Sequence, residues 1–518
     1  MWPGTDWARV AGLSVAGLVL ALMLGSLAAV LTAAGGVGRL GPSDWAALRF
    51  TLIQAILSAL LSVALAIPVA RALARRRFRG RAALITLLGA PFLLPTIVAV
   101  LGLIAIFGRA GWINTALGWA GLPPVQIYGL QGVVLAHVFF NLPLAVRMIL
   151  QGFQAIPSER FRLAQSLGFR PGDVWRHLER PVLREVLPGA TLAVFLICLT
   201  SFAVALIMGG GPRATTLELA IWQSIRFDFD LGRAAVLAAA QFVLCAAAVL
   251  AAGRVAVPAG FGAGLDRPLA VPAPQGIWRA LDLLTIVAAA LFLLTPLAAV
   301  AGAGLAGLVD LPAPVWHAAA RSVAVALTAT ALAIGAALAL GAVAVRGGLS
   351  GRAAEIAGML PLAASGLVLG TGLFLLTFPI VAPSRIALPV TALVNAALAL
   401  PFALRILLPP LREIHATQHR LAESLGIHGL GRLRLVTLPR LRRPLGFAAG
   451  VVAALAMGDL GVIALFAAEG TETLPLQVWR LMGAYRTQSA EAAALLLVAL
   501  GFMMFAGFDS WGRRCAAT

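Results

Sequence analysis

Apolar residues in this chain gather into long unbroken runs separated by short polar stretches. Twelve windows of about 20 apolar residues, each long enough to cross a bilayer as a helix, lie near 10–32, 50–72, 84–108, 130–152, 184–208, 231–255, 279–308, 319–345, 353–377, 386–410, 443–467 and 489–508. A membrane β-barrel would show alternating segments of about ten residues instead. The pattern predicts an all-α integral membrane protein. The first run is too long for the core of a signal peptide and lacks a clear cleavage site, so it reads as a retained first helix.

Two polar islands interrupt this pattern. "RLAQSLGFRPGDVWRHLERPVLR" begins at Arg162, and "RLAESLGIHGLGRLRLVTLPRLR" begins at Arg420. In the first, Ser158 is placed to cap a short helix with Phe161, Ala164 and Leu167 on one side. Gly168 suits its C-terminal cap, where positive φ is needed. Pro171 fits the start of another short helix, with Val174 and Leu178 on one face, and Pro181 precedes the return into the membrane. The second island repeats the plan with Leu421, Leu425, Gly426, Leu430, Leu433 and Pro439.

The repeat extends beyond the islands. At a spacing of 258, Leu142-Pro143 matches Leu400-Pro401, Arg147 matches Arg405, Arg162-Leu163-Ala164 matches Arg420-Leu421-Ala422, and Pro181 matches Pro439. One residue of slippage later, Thr216-Leu217 and Trp222 match Thr473-Leu474 and Trp479. Six windows per half make the repeat parallel, about an axis along the membrane normal. The chain therefore divides into a first half, 1–255, a Pro- and Gly-rich linker, 256–277, and a second half, 278–518. Either island alone fits an amphipathic helix lying on lipid. A glycine followed thirteen residues later by a proline in both halves fits a paired docking surface better.

Composition agrees. The chain is 61% hydrophobic and 11% charged, with a formal charge of +19. Soluble proteins carry about a quarter charged residues. Every basic residue is arginine, and the arginines concentrate in alternate loops, including 71–81 and both islands. The positive-inside rule puts those loops, and both termini, in the cytoplasm. The other loops hold Asp228, Asp230, Glu469 and Glu472. No basic face stands apart from a membrane span, which argues against nucleic-acid binding. Cys198, Cys245 and Cys515 have neither disulfide nor metal spacing.

The paired islands resemble the cytoplasmic "EAA" loop of binding-protein-dependent ABC importer permeases, which carry a Gly at this place and a Leu-Pro further on. Both copies here lack the name-giving glutamate, and the first has Arg180-Pro181 in place of Leu-Pro. "FNLPLAVR" at 140–147, "GGGPRATTLELAIWQ" at 209–223, "MGDLGVIALF" at 457–466 and "TLPLQVWRLMGAYR" at 473–486 are similar to the fused permeases of bacterial thiamine importers. Ferric-iron permeases share that fused architecture. The resemblance implies the type I importer permease fold in a bacterial inner membrane. It also implies a periplasmic binding protein, and two copies of a separate ATPase that bind ATP and Mg. The coupling loops then lie near 153–183 and 411–441, and Arg162, Ala164, Leu167, Gly168, Val174 and Pro181 answer to Arg420, Ala422, Leu425, Gly426, Leu433 and Pro439. The absence of lysine supports this division, because a P-loop needs one to reach the phosphates. No catalytic residue and no metal site is expected. An ion-coupled secondary transporter, the main alternative, would need intramembrane acids, and the predicted spans offer few. A membrane scaffold with the islands as partner sites is a third reading.

One such acid is Asp459, expected in the outer half of the eleventh span; its repeat counterpart is Ser201. It either packs or caps helices, or lines an outward cavity that favours a cationic substrate. Ser201 and Phe202 join it as candidate pathway residues, and Asp228, Asp230, Glu469 and Glu472 as candidate contacts for a binding protein. Trp222 and Trp479 either touch an aromatic substrate or sit at the membrane boundary. Arg147 and Arg405 read as snorkelling side chains, and His415 and His419, spaced i, i+4, as a solvated face.

Overall fold

The computed structural model describes residues 7–34, 40–88, 94–252, 276–427 and 429–517. The linker proposed at 256–277 lies outside the described residues except for its last two positions, as do the side chains of His419, Leu430 and Cys515. Among the described residues every regular element is helical. Eleven helices are long and apolar enough to cross a membrane, or twelve if Gly348–Ala363 and Gly366–Thr377, bent by 95° at their junction, count as one crossing.

The first half contains α1 (Trp7–Ala34), α2 (Pro42–Arg75), α3 (Thr96–Phe107), α4 (Leu130–Gln154), α5 (Ser158–Ser166), α6 (Arg180–Leu199), α7 (Leu217–Arg226) and α8 (Leu231–Ala252). The second contains α9 (Ile277–Gly307), α10 (Ala313–Ala344), α11 (Gly366–Thr377), α12 (Pro383–Ser424), α13 (Leu438–Met457), α14 (Gly461–Phe466), α15 (Leu474–Gly483) and α16 (Thr487–Ala517).

The halves interlace. α1 packs against α10 and α11 of the second half, and α9 packs against α2 and α3 of the first. Both crossings rest on one residue type. A Cβ added to Gly102 of α3 would overlap the Pro296 carbonyl of α9, and one added to Gly372 of α11 would overlap the Ser26 carbonyl of α1. Gly102 and Gly372 lie 270 residues apart, as do Ser26 and Pro296, so one close crossing is built twice. Small residues let helix backbones approach where lipid supplies no hydrophobic drive between them.

Besides the bent window near 353–377, two predicted spans are broken beside Ser201 and Asp459. The window near 184–208 becomes α6, a non-helical stretch at 200–202, and a short helix Ala203–Met208. The window near 443–467 becomes α13, a break at 458–460, and α14. Asp459 therefore sits in a break rather than inside a helix. Both breaks line the central cavity described below. Irregular backbone at membrane depth is tolerated where it is buried in protein or lines a cavity.

Two further short helices, α7 and α15, fall between predicted spans. A hydroxyl near the start of a long helix holds the first residue of each. Leu217 N donates to Thr51 Oγ1 at 2.9 Å, and Leu474 N donates to Ser322 Oγ at 2.7 Å. Free N–H groups at a helix start need such partners inside a membrane.

The first island forms α5, closed by a Schellman turn. Gly168 has φ +68°, Phe169 N donates to Ala164 O at 2.9 Å and Gly168 N to Gln165 O at 3.0 Å. The second closes identically: Gly426 has φ +68°, Ile427 N donates to Ala422 O at 2.8 Å and Gly426 N to Glu423 O at 3.0 Å. Pro171 opens the next turn as expected, where Asp173 Oδ2 accepts from Arg170 N at 3.0 Å. Three details differ from the sequence reading. Pro157, not Ser158, occupies the cap position; Ser158 Oγ bonds to Glu159 instead. Leu167 is exposed, while Phe161 and Ala164 are buried. The second island is no separate helix, because α12 runs unbroken to Ser424. His415 stands there where the first half has Pro157, so nothing interrupts the backbone ladder.

A π-helical turn precedes each return into the membrane, at Trp175–Glu179 and Leu433–Thr437. Pro181 and Pro439 follow at the second position of α6 and α13. A proline lacks an N–H and crowds the carbonyl four residues back, and a widened turn relieves both. The first island is also latched to α2. Glu179, buried, accepts from Arg71 Nε at 2.7 Å and pairs with the Arg75 guanidinium, while Arg71 lies 4.4 Å over the Trp175 ring. Thr437, the repeat counterpart of Glu179, offers no such charge.

Gly372→Ala is expected to lower stability by about 1–3 kcal/mol, because the added methyl meets backbone rather than a movable side chain; thermal unfolding of detergent-solubilised protein measures this. Glu179→Gln leaves two partly or wholly buried arginines without a carboxylate, at a cost of about 3–5 kcal/mol. Hydrogen exchange should then quicken in α5 and the following turn while the second island keeps its wild-type rate.

Candidate functional site

The two halves enclose a cavity of ≈ 640 Å³, within the roughly 300–1,000 Å³ usual for small-molecule sites. α4 and α12 form opposite walls. His137, Asn141 and Met148 face it from α4, and Asn395, Phe402 and Arg405 from α12. His137 and Asn395 are repeat counterparts, and the distance from His137 to Met148 along α4 is about 16 Å at 1.5 Å per residue. The cavity thus runs along the axis between the halves. Arg405, exposed, marks its open mouth.

Aromatic side chains close the other end. Trp222 of α7 and Trp479 of α15, themselves repeat counterparts, meet edge to face at 5.8 Å between ring centroids. Phe202, which lines the cavity, packs against Trp222 at 5.9 Å. Trp222 Nε1 donates to Ala464 O of α14 at 3.1 Å, which ties one half to the other. Trp222 and Trp479 therefore sit beyond the cavity wall and seal it; they do not line it.

Ser201, Phe202 and Asp459, proposed from sequence as pathway residues, all line this cavity. Asp459 Oδ1 accepts from Gly461 N at 3.3 Å, at the start of α14. Its Oδ2 has no hydrogen-bond partner. The lining residues not singled out from sequence include Glu218, His137, Asn395 and Ser365. His137 is buried, its Nδ1 sits 3.2 Å from Ser58 Oγ, and its Nε2 is unpartnered. Asn395 Nδ2 donates to Ala456 O at 3.3 Å, beside the break that holds Asp459. The periodic match of His137 with Asn395 was readable in the repeat. Glu218 lay outside every predicted span and so read as loop.

The islands share one face. α2 and α10 start near α7 and α15, whose tryptophans touch, and each then runs for about 50 Å to the opposite side. There Arg71 and Arg75 grip the first island. On that face Leu163 and Leu167 are 60% and 63% exposed, and their counterparts Leu421 and Leu425 are 56% and 65% exposed. Two matching leucine pairs thus stand in the open, next to Arg162 and Arg420. Ala164, Ala422 and the two glycines support their shape from below. Val174 packs into the core of the first half, and Leu433 is half-buried. His415 Nδ1 meets Arg432 Nη2 at 3.1 Å, so this histidine is already engaged.

The candidate acids of the opposite face divide. Glu472 is buried, paired with Arg321 at 3.3 Å and with Arg480; it is a strut of α15, closed to any partner. Asp230 Oδ1 caps α8 through Arg233 N at 2.9 Å, and Asp228 pairs with Arg233 at 3.1 Å. Glu469 is exposed. Phe227, Phe229 and Tyr485, not foreseen, stand exposed beside them.

No family model matches the chain. Full-length relatives are nonetheless clear. The chain is 40% identical to the thiamine transport system permease protein of Salmonella typhimurium over 522 residues, 98% of this chain and 97% of the relative. It is 40% identical to the protein of that name from Escherichia coli over 470 residues, 89% and 88% of the two chains. The Brucella abortus protein of the same name is 40% identical over 517 residues, 96% and 95% of the two. With 40% identity over nearly the whole length of these relatives, the chain belongs to the family of thiamine transport system permease proteins.

Proposed function

We propose that the chain is the membrane-spanning permease of an ATP-driven, binding-protein-dependent importer for thiamine or its phosphates. The observation that carries this is the cavity between two repeated halves, closed at one end by the Trp222–Trp479 pair and lined at the other by the exposed Arg405. An importer needs a path between its halves and a place for the motor to grip each half. The relatives' name supplies the solute.

In this reading the island face is cytoplasmic, as its arginines require, and the membrane is the bacterial inner membrane with both termini inside. One ATPase copy docks on each island, with Leu163 and Leu167, or Leu421 and Leu425, in its cleft. ATP and Mg belong to that partner; this chain moves solute and does no covalent chemistry. The structure is then the inward-open state. Closure of the ATPase dimer draws the islands together, parts Trp222 from Trp479, and opens the cavity to the periplasmic side. The binding protein docks there on Phe227, Phe229 and Tyr485, with Asp228, Asp230 and Glu469 around them. Asp459 faces the solute, its free Oδ2 complementing a thiazolium cation.

Three outcomes follow. Vesicles holding the whole complex take up labelled thiamine only with internal ATP; uptake by the permease alone would refute the reading. Leu163→Asp combined with Leu421→Asp abolishes co-purification of the ATPase, while permease stability, read by thermal unfolding, changes within about 0.5 kcal/mol, as surface substitutions do. Asp459→Asn raises the thiamine concentration for half-maximal uptake roughly tenfold; unchanged affinity and rate would remove Asp459 from the pathway.

A further inference from the structure

Glu218 is 1% exposed and lines the cavity. Among the described residues no arginine or histidine forms an ion pair with it or with Asp459. A carboxylate so placed is costly and normally finds a cation or a functional use. It is also held with care. Gln241 Nε2 donates to Glu218 Oε1 at 3.0 Å and is itself anchored on Leu199 O at 2.9 Å. Ser365, from the other half, lines the same cavity and caps α11, its Oγ accepting from Val368 N at 3.0 Å.

A purely local role does not account for this. An acid in the first turn of a helix complements its dipole, and Glu218 is the second residue of α7. Yet Thr216 already caps that helix, accepting from Leu219 N at 3.3 Å. The repeat supplies the control: α15, the counterpart of α7, carries Pro475 at this place and forms the same ten-residue helix. The acid is thus dispensable to the fold of this element. The converse asymmetry holds across the cavity, where Asp459 in the second half answers to Ser201 in the first.

We infer that Glu218 is a cation-recognition residue: with Asp459 it forms a two-carboxylate subsite, one acid from each half, that takes an organic monocation such as a thiazolium. This deepens the importer reading and rests on it. An ion pair spanning the two halves forms only while both walls are in place, so the bound cation itself bridges the elements that separate during transport. Gln241, anchored on Leu199 O, acts as a positioning residue that aims the Glu218 carboxylate into the cavity.

The test uses the assembled complex with its ATPase and binding protein in vesicles. Glu218→Gln keeps the shape and the Gln241 contact but removes the charge. The half-saturating thiamine concentration should rise at least about tenfold, as for a lost buried charge pair. Equal half-saturation in wild type and Glu218→Gln overturns the inference and leaves the importer reading intact. Wild-type vesicles that move no thiamine overturn both. A second measurement needs no variant: dicyclohexylcarbodiimide modifies carboxyl groups in apolar surroundings, and peptide mass spectrometry reads its attachment to Glu218. Thiamine should protect Glu218 and thiochrome, the uncharged oxidation product, should not. Equal labelling with and without thiamine overturns the inference.

Discussion

Two glycine crossings hold this molecule together across its midline. At Gly102 against Pro296 and at Gly372 against Ser26, helix backbones from opposite halves meet with no room for a side chain. Lipid tails are as apolar as leucine, so helices in a bilayer gain little by hiding apolar surface from each other; close van der Waals contact must supply the attraction. Because the first helix of each half lies across the other half, neither half can drift away as a unit. The walls of the cavity are held in register at one level and remain free to rock at the level of the islands and of the tryptophan pair.

The repeat makes a symmetric scaffold, and function is written in its departures from symmetry. The hydroxyl clamps, the Schellman turns, the π turns before Pro181 and Pro439, and the paired tryptophans all occur twice. Glu218 faces Pro475, Asp459 faces Ser201, His137 faces Asn395, and Glu179 faces Thr437. The first three differences fall on the cavity, where a small asymmetric solute has no use for a symmetric wall. The fourth falls on an island and leaves the first one tied to α2 by buried charge while the second extends from an unbroken α12. The two islands, alike in their exposed leucines, are thus attached differently: an ion-paired, ring-stacked latch ties the first to α2, and the second continues α12.

Much of the architecture was legible along the chain. Windows of apolar residues located the crossing helices, because a bilayer demands about 20 such residues whatever their neighbours. Gly168 and Gly426 announced their helix ends, since positive φ is a local demand of the backbone. Local rules also misled in places where two local devices compete: Ser158 looked like a cap, yet Pro157 fixes the chain one residue earlier. Glu472 looked like a free loop acid, and only the fold brings Arg321 from a distant helix to bury it.

The sequence by itself determined the helices, the repeat, the arginine-marked face and the family. These follow from composition and from contacts within a few residues. Only the tertiary structure decided where spans break, that first helices cross between halves, and that Glu218, Asp459, His137 and Asn395 share one cavity. The physical reason is sequence distance. A buried acid 241 residues from its partner acid leaves no periodic trace, and its meaning appears only when packing removes the water that would have made it ordinary.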